Sequence, residues 1–302
     1  VKGPISLIRT PMMSQADQVV QSCEESYNTE ILAISALAAA AIRIGKVHGI
    51  VLMVEMGDLR DGILPENLEG IAQQVMQMSG VALKGIGANF ACLSGVGPTA
   101  LKMVAFSELA NEVEGACGAL LKLVSGGGSA NLPWALGERA IGRINDLRLG
   151  EAILLGIEPV SGDKIDEMYT DAFTLVAEVI ETGAKSAPSP VVLIEPTSKQ
   201  IHAKLIRAGC SSMILAIGHQ DTDILGLSMP FESTLIGATS DHLVIQTPRS
   251  PPRVGSEVRF QMNYSALMHA MAAPDIDVHL LDDPPTRPSR RTQGKAEHLA
   301  LV

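Results

Sequence analysis

The sequence LKLVSGGGSANLPWALGERAIGRINDLRLGEAILLG, residues 121–156, decides the fold. It opens with a short apolar strand at 121–124, and a glycine-rich turn at 125–129 follows. A helix is expected to begin near Asn131, and the polar outlier of the second strand is Arg148. A glycine turn between a strand and a helix lets backbone N–H groups approach an anion closely, and the helix N-terminus adds favourable partial charge. The stretch therefore predicts a phosphate cradle.

The glycine turn alone has an equally good alternative interpretation, which is a flexible connection. Arg148 favours the cradle, because a strand that is otherwise apolar seldom carries a guanidinium without a planar or anionic partner. No Gly-Lys-Ser or Gly-Lys-Thr follows the turn, so the stretch is not a nucleotide P-loop.

Composition limits the classes of protein that need to be considered. With 302 residues, 46% of them apolar, the chain has room for one large domain and a smaller companion. The net charge of −10, with scattered basic residues, gives no electrostatic footprint for nucleic acid. No apolar run is long and charge-free enough to span a bilayer, and no secretory signal is expected. A soluble protein without a nucleic-acid or membrane partner is therefore predicted.

The cysteines bear on metal binding and on the cellular compartment. Cys23, Cys92, Cys117 and Cys210 have neither metal-site nor disulfide-framework spacing. This usage is typical of a reducing compartment. We therefore expect a cytoplasmic protein without a metal site.

Upstream of the opening stretch, short apolar strands alternate with helices, and the last strand of the series is expected to reach Leu154. This alternation indicates parallel βα units, and near-continuous apolarity indicates a sheet covered on both faces. About six units can be counted, whereas a closed barrel of this kind needs about eight. The predicted fold class is α/β, with an incomplete (β/α)8-type, TIM-like barrel.

Beyond Gly156 the pattern changes to short alternating strands separated by Pro, Gly, Ser and Asp turns. The partial cofactor-binding barrel is therefore expected over residues 1–157 and a mainly β domain over 158–281. Residues 282–302 are rich in proline and charge and have no period, so a disordered tail is expected there.

Six motifs occur in an order that resembles a known family. They are VEMGDLRDGI (54–63), GIGANFACLSG (85–95), VSGGGSANLP (124–133), NDLRLGEAILLG (145–156), AIGHQDTDILGL (216–227) and GATSDHLVI (237–245). Each motif alone is a weak indication of a family, but six motifs in this order are a specific one. The chain resembles the alanine racemase superfamily of fold-type III pyridoxal-phosphate enzymes, and most of all its alanine/ornithine racemase branch. The similarity covers residues 5–278.

The resemblance implies an eight-stranded βα barrel followed by a β domain, pyridoxal 5'-phosphate as cofactor, and a homodimer that racemises a small amino acid. The strands counted here match the third to eighth of that barrel. In this family the lysine that binds the cofactor lies at the end of the first strand, and nothing after Val1 matches it. Lys84 lies near the start of its strand, at the opposite end from the site. We therefore expect a truncated and inactive chain; the alternative is a cofactor-binding or regulatory protein without catalysis.

The resemblance also assigns residues to the cofactor. Ser129, Gly150 and the backbone of Glu151 match the positions that hold the phosphate, while Ser125, Gly126 and Gly127 shape the turn. Arg148 matches the arginine that faces the pyridine nitrogen. Because a guanidinium cannot give up its proton, that nitrogen stays unprotonated and the ring is a weaker electron sink, which favours racemisation over transamination. Asn89 stands where alanine racemases carry a histidine near the ring.

Two positions match the catalytic groups of the family. Arg60 matches an arginine near the cofactor hydroxyl and the substrate carboxylate, where a guanidinium fork suits bidentate binding. Its alternative is a surface arginine in an acidic loop. His219 falls where alanine racemases place the tyrosine that acts as second base, and a histidine oriented by Asp221 could take a proton near neutral pH. A structural or substrate-contacting histidine is an equal alternative.

The acidic residues near the motifs bear on which amino acid is the substrate. An acidic group that receives a distal ammonium would select ornithine or lysine over alanine. The candidates are Asp58, Asp61, Asp221 and Asp223. The alternative is that these four carboxylates are solvated in loops.

Overall fold

The computed structural model describes residues 3–137, 140–183, 210–230, 232–248 and 250–281. The chain packs as two compact units, Val1–Thr174 and Leu175–Val302. The tail expected to be disordered, 282–302, lies outside the described residues. The domain boundary expected after residue 157 stays a prediction.

The first unit contains a parallel sheet of six strands, which confirms the predicted fold class. The strands are β1 (Ser6–Leu7), β2 (Glu25–Asn28), β3 (His48–Val54), β4 (Val81–Ala88), β5 (Leu123–Gly128) and β6 (Asp146–Arg148). Their order in the sheet is their order in the chain, so that each βα unit adds one strand beside the last, as in a barrel. Within the described residues, β1 and β6 each pair with one strand, so the barrel is incomplete.

Helices connect these strands. They are α1 (Ala16–Ser22), α2 (Ile31–Arg43), α3 (Pro65–Gln77), α4 (Ala100–Cys117), α5 (Leu132–Leu136) and α6 (Glu151–Leu155). Helix α4 shows why such segments begin and end where they do. The Thr99 side chain accepts a hydrogen bond from the backbone N–H of Lys102, and Gly118 adopts a left-handed conformation after the last turn.

The sheet buries both of its faces, as its continuous apolarity predicts. In β3, all seven residues are buried. Ile50 and Leu52 belong to the core shared with helix residues such as Phe106, while Val51 and Met53 cluster with Tyr27 on the opposite face. Successive side chains of a strand point to opposite faces, so one strand supplies both the layer under the helices and the interior of the barrel.

Two predictions for the opening stretch were wrong. Strand β5 continues through the glycines to Gly128, so the expected turn begins later. Gly126 allows this, because a Cβ there would lie 2.6 Å from Cγ2 of Ile144. The last strand, β6, ends at Arg148, and Glu151–Leu155 form a helix instead of continuing the strand. A short apolar run has no period long enough to distinguish a strand from a helix.

The second unit is built on a six-stranded antiparallel sheet, which agrees with a mainly β domain. Its strands are β7 (Leu175–Gly183), β8 (Ser211–Leu215), β9 (Leu227–Ser228), β10 (Thr234–Ala238), β11 (Leu243–Thr247) and β12 (Glu257–Met262). The order is β10-β11-β8-β7-β12-β9. A helix that the sequence did not predict, α7 (Tyr264–Ala272), follows β12 and packs on the core of this sheet. Across the described segments, none of the helices has the length and apolarity needed to cross a bilayer.

Candidate active site

A polar cluster lies where three parallel strands of the first unit end. Arg148 is the last residue of β6, Ser125 lies in β5, and Asn89 follows β4 directly. Parallel strands have their carboxyl ends at one edge of the sheet, which is where βα barrels place their active sites. Side chains that are far apart in the sequence therefore meet there.

Arg148 is the centre of this cluster. Its Nη1 donates to the Ser125 carbonyl oxygen at 3.4 Å and to Ser125 Oγ at 2.5 Å, and its Nη2 donates to the Ala88 carbonyl oxygen at 2.7 Å and to Asn89 Oδ1 at 3.0 Å. The guanidinium also lies over the ring of Tyr27, 5.0 Å from the centroid. Burial lowers the pKa of Arg148, which nevertheless remains a cation, as arginine does in proteins. Among the described residues, Nε–H has no acceptor.

The hydrogen bonds continue from Arg148 to Arg60. Asn89 Nδ2 donates to Asp61 Oδ1 at 2.9 Å, and Arg60 Nε donates to the same oxygen at 2.9 Å. The side chain of Arg60 is 45% exposed and that of Asp61 is 29% exposed. Partial burial lowers the pKa of Arg60, but the hydrogen bond that it donates to Asp61 and the negative groups nearby outweigh this effect, so the pKa is raised. The structure thus brings the predicted residues Arg60, Asn89 and Arg148 into one chain of contacts.

Ser129 lies at the start of a 3-10 turn directly after β5 and is buried. Its Oγ accepts from the backbone N–H of Gly150 at 3.3 Å and of Ala152 at 3.0 Å. Because both lone pairs are then used, its hydroxyl proton remains available to donate. The backbone N–H of Glu151 lies in the first turn of α6, where N–H groups lack acceptors within the helix. Burial, with the charge of Glu158, raises the pKa of the Glu151 side chain.

The glycines beside Ser129 keep the backbone close to this point. Gly127 has a φ of +123°, and a Cβ on it would lie 2.1 Å from Asn131 Oδ1. On Gly128, a Cβ would lie 3.2 Å from the Arg148 carbonyl oxygen. Asn131 Oδ1 accepts from the backbone N–H of Gly128 at 3.3 Å, which holds the bend. A side chain at 127 would thus clash with Asn131, so the bend needs glycine there, whereas a side chain at 128 would meet a tight contact that a small shift relieves.

The acidic candidates differ in what they do. Asp58 is 3% exposed, and its Oδ1 accepts from the backbone N–H groups of Cys92, Leu93 and Ser94 at 2.9, 3.1 and 3.4 Å. It joins the loop after β3 to the loop after β4 and is not solvated. Asp223 caps a 3-10 turn and accepts from Ser265 Oγ at 2.7 Å.

The two candidates of the second unit, His219 and Asp221, are close in the chain but are not bonded to each other. Asp221 is buried, and its Oδ2 accepts from the backbone N–H of Gly218 at 2.7 Å. His219 is exposed, and its backbone N–H donates to the Thr239 carbonyl oxygen at 2.9 Å. Both side chains lie in described residues, and no hydrogen bond joins them there. The carboxylate of Asp221 closes a local turn.

Three lysines of the described residues lie at the other end of the sheet from this cluster. Lys46, Lys84 and Lys122 line a cavity of about 610 Å³ together with His48, the first residue of β3. That cavity is at the amino-terminal ends of the strands, as expected for Lys84. Lys102 instead lies over the ring of Phe90, 6.0 Å from the centroid.

Sequence reasoning missed two residues of the cluster, Tyr27 and Asp146. Tyr27 carries the ring under Arg148, and the short strand ESYN contains no feature that would have indicated this. Asp146 Oδ2 accepts a hydrogen bond from Ser125 Oγ. A signal for Asp146 was present, because it lies two residues before Arg148 in one strand and hence on the same face.

The fold and this cluster together define a class of protein, a βα-barrel enzyme that holds an anionic cofactor at the carboxyl ends of its strands. Residues 1–159 match the family model "Alanine racemase, N-terminal domain". The chain belongs to this family, whose cofactor is pyridoxal 5'-phosphate, and the curated relatives that it matches are racemases, which are isomerases.

Two relatives and one solved structure illustrate the similarity. An ornithine racemase from Acetoanaerobium sticklandii is 34% identical over 284 residues, which cover 91% of this chain and 79% of the relative. A lysine racemase from Thermotoga maritima is 31% identical over 286 residues, covering 92% and 78%. The crystal structure of alanine racemase from E. faecalis superposes with a TM-score of 0.60 at 16% identity, covering 90% of this chain and 73% of that one. At that identity the superposition supports the fold alone.

The residues present fit this cofactor at two points. The hydroxyl proton of Ser129, the N–H of Glu151 and the side-chain-free backbone at Gly128 suit a phosphate group. The Nε–H of Arg148, which has no acceptor in the described chain, suits an unprotonated ring nitrogen.

Proposed function

We propose that this protein is a pyridoxal-phosphate-dependent amino-acid racemase of the ornithine and lysine type. The observation that carries the proposal is the position of Arg148, whose four Nη N–H groups meet protein acceptors while Nε–H is left over. A permanently charged partner for the ring nitrogen suits racemisation. The relatives named ornithine racemase and lysine racemase support the same reaction.

The residues of this chain would have the following roles. Ser129 Oγ and the N–H of Glu151 hold the phosphate, and Arg148 orients the ring from the other side. When bound, pyridoxal phosphate withdraws electrons from the Cα–H bond of the amino acid. Because Arg148 keeps its proton, it would leave the ring nitrogen unprotonated, which favours return of a proton to Cα over transamination. Arg60 binds the substrate carboxylate through its two Nη groups, which no described residue occupies.

His219 is the proposed second base, which would give or take a proton at Cα of the substrate. Its exposure in the second unit leaves the imidazole accessible, and imidazole is the side chain that acts most often as a general acid or base. Asp221 does not orient it, since the Asp221 carboxylate accepts from the backbone N–H of Gly218. The role of Asp221 in the proposal is therefore to hold the loop that carries His219.

A homodimer and a cytoplasmic location also belong to the proposal. The dimer rests on the family resemblance, because two-subunit sites make it the default assembly. The location rests on the cysteines, which are all free in the described chain. Light scattering of the purified protein measures the first, and a value for a monomer would contradict it.

The test combines cofactor binding with racemisation. The protein and its Arg148→Met variant are titrated with pyridoxal phosphate by absorbance and fluorescence. Chiral chromatography then follows L-ornithine, L-lysine and L-alanine. A parallel assay contains methylamine, because a small primary amine can supply the group that a lysine side chain provides. In the assay with methylamine we expect cofactor-dependent formation of D-ornithine and D-lysine in preference to D-alanine, and in the titration we expect weaker cofactor binding by the variant.

Two results would overturn the proposal. Equal cofactor affinity in the protein and in Arg148→Met would remove the observation on which it rests. Cofactor binding that depends on Arg148, with no D-amino acid formed in either assay, would identify a cofactor-binding protein without catalysis.

A further inference from the structure

We propose that Asp61 is a positioning residue that fixes the direction of Arg60 and, through Asn89, the contact that Arg148 makes. The inference rests on the proposed function, in which Arg60 receives the substrate carboxylate and Arg148 faces the cofactor ring. Asp61 itself would touch neither substrate nor cofactor.

The first step concerns the edge of Arg60 that remains free. Asp61 Oδ1 accepts from Nε at 2.9 Å, so the side of the guanidinium formed by Nε and one Nη is in use. Both Nη groups are without partners in the described residues. A carboxylate can bind a guanidinium in a bidentate manner at its side or at its end. Asp61 therefore leaves the end, where both Nη groups point outward, as the binding edge.

The second step concerns the amide of Asn89. Arg148 has only donors, so the amide oxygen must face it, at 3.0 Å from Nη2. The NH2 group of Asn89 must then face an acceptor, and Asp61 Oδ1 lies 2.9 Å from it. The amide thus joins a cation on one side to an anion on the other, and either neighbour determines how it is turned.

The third step concerns the loop that carries Arg60 and Asp61. Its ends are joined by backbone hydrogen bonds, from Ile63 to the Met53 carbonyl oxygen at 2.8 Å and from Glu55 to the Ile63 carbonyl oxygen at 2.9 Å. Asp58 ties the middle of the loop to residues 92–94. Because the backbone is held in this way, loss of Asp61 would free the Arg60 side chain without releasing the loop.

The experiment compares Asp61→Ala, Asp61→Asn and the unchanged protein. Asparagine keeps an acceptor oxygen, whereas alanine removes it. The matched control is Asp17→Ala, which breaks a different Asp–Arg pair, with Arg43, on the exposed surface of the same unit. For each protein, the pyridoxal phosphate dissociation constant is measured by fluorescence, and KM and kcat are measured with ornithine and with alanine in the presence of methylamine.

We expect Asp61→Ala to raise KM about tenfold for both amino acids, the value of one hydrogen bond to a charged group, with a smaller change in kcat. The cofactor dissociation constant should rise severalfold in Asp61→Ala, and Asp61→Asn should restore most of both losses. The effect of Asp61→Ala on KM should disappear when Arg60 is already replaced by alanine, because Asp61 acts through Arg60. Asp17→Ala should change none of these values.

A rise in KM for ornithine but not for alanine would overturn the inference, since Asp61 would then bind the distal ammonium of the substrate. An unchanged cofactor affinity in Asp61→Ala would also overturn it, by removing the link through Asn89. If the unchanged protein racemises neither amino acid, the proposed function fails, but the dissociation constants still decide whether Asp61 orients the cofactor site.

Discussion

Arg148 and Arg60 lie at the two ends of one hydrogen-bonded chain, and the protein holds them in opposite ways. Arg148 uses both Nη nitrogens on acceptors from the sheet and keeps Nε free. Arg60 uses Nε on one loop carboxylate and keeps both Nη nitrogens free. One guanidinium thus offers a single N–H, which suits a ring nitrogen, and the other offers a fork, which suits a carboxylate.

The difference also separates an arginine held by the fold from an arginine that is free to recognise a ligand. Three of the four hydrogen bonds of Arg148 go to Ser125 within β5 and to Ala88 at the end of β4, so they form when the sheet forms. The contact of Arg60 comes from the neighbouring residue in an exposed loop, and its side chain is 45% accessible. We infer that the cofactor end is fixed by folding, whereas the substrate end can change without a change in the fold.

The largest effect is expected from Arg148→Leu. It removes the Arg148 donor from Ser125 Oγ and Asn89 Oδ1, both on buried residues, and an unsatisfied buried acceptor costs about 1–3 kcal/mol. Urea denaturation of the protein and the variant measures the loss. Arg43→Leu, at an exposed pair with Asp17, is the control and should cost less than about 1 kcal/mol. Equal losses for the two would show that burial of Arg148 contributes nothing.

Gly127→Ala should have the next largest effect. A Cβ at this position would lie 2.1 Å from Asn131 Oδ1, and its φ of +123° is strained for alanine, so a loss of about 1–3 kcal/mol is expected. Cofactor binding should weaken as well, since the bend before Ser129 would shift. Gly70→Ala is the matched control. It lies inside α3 with nothing within 4 Å of a Cβ, and should stabilise the helix by about 0.5–1 kcal/mol. An undisturbed cofactor affinity in Gly127→Ala would mean that the bend does not shape the cradle.

A contrast between local signals and contacts of distant residues explains what the sequence could and could not predict. The six parallel βα units follow from the period of the apolar residues. Arg148 is the polar exception in its strand, and both signals are local in the sequence. The helix at 151–155 was missed because AILL fits a strand as well as a helix. The bond between Asp61 and Asn89 joins residues 28 positions apart, and which atoms meet at the sheet edge depends on strand register and loop course. No local pattern encodes that.

Arg60→Lys should have a smaller and more specific effect. Lysine keeps the charge but has no fork, so it cannot bind a carboxylate in a bidentate manner. We expect KM for ornithine to rise about tenfold, the equivalent of one charged hydrogen bond, while the free energy of unfolding and the cofactor dissociation constant stay close to those of the unchanged protein. Steady-state kinetics and the cofactor titration measure the two halves of this prediction. If Arg60→Lys weakened cofactor binding as strongly as Arg148→Leu, the division between the two ends would be wrong.

The smallest effect should come from His48, at the opposite end of the same sheet. Unlike Arg60 and Arg148, a histidine can gain or lose a proton as the pH changes. His48 is 1% exposed, and its Nε2 lies 2.8 Å from Ser26 Oγ. Burial lowers the pKa of His48 below its ordinary value of 6.5, although the Cys23 backbone and Glu24 oppose the shift. His48 therefore binds a proton less tightly in the folded protein than in the unfolded chain. The resulting stability is present above pH 6.5 and is lost as the pH falls towards the lower, folded value.

Urea denaturation of the protein and of His48→Gln at several values between pH 7.5 and pH 5 tests this prediction. The free energy of unfolding of the unchanged protein should decline below pH 6.5, and the decline should be shallower in His48→Gln. Because guanidiniums do not titrate in this range, Arg148→Leu should keep the full decline while lowering the whole curve. A pH dependence that followed Arg148 instead of His48 would mean that the two ends of the sheet are coupled. The separation argued from their contacts would then fail.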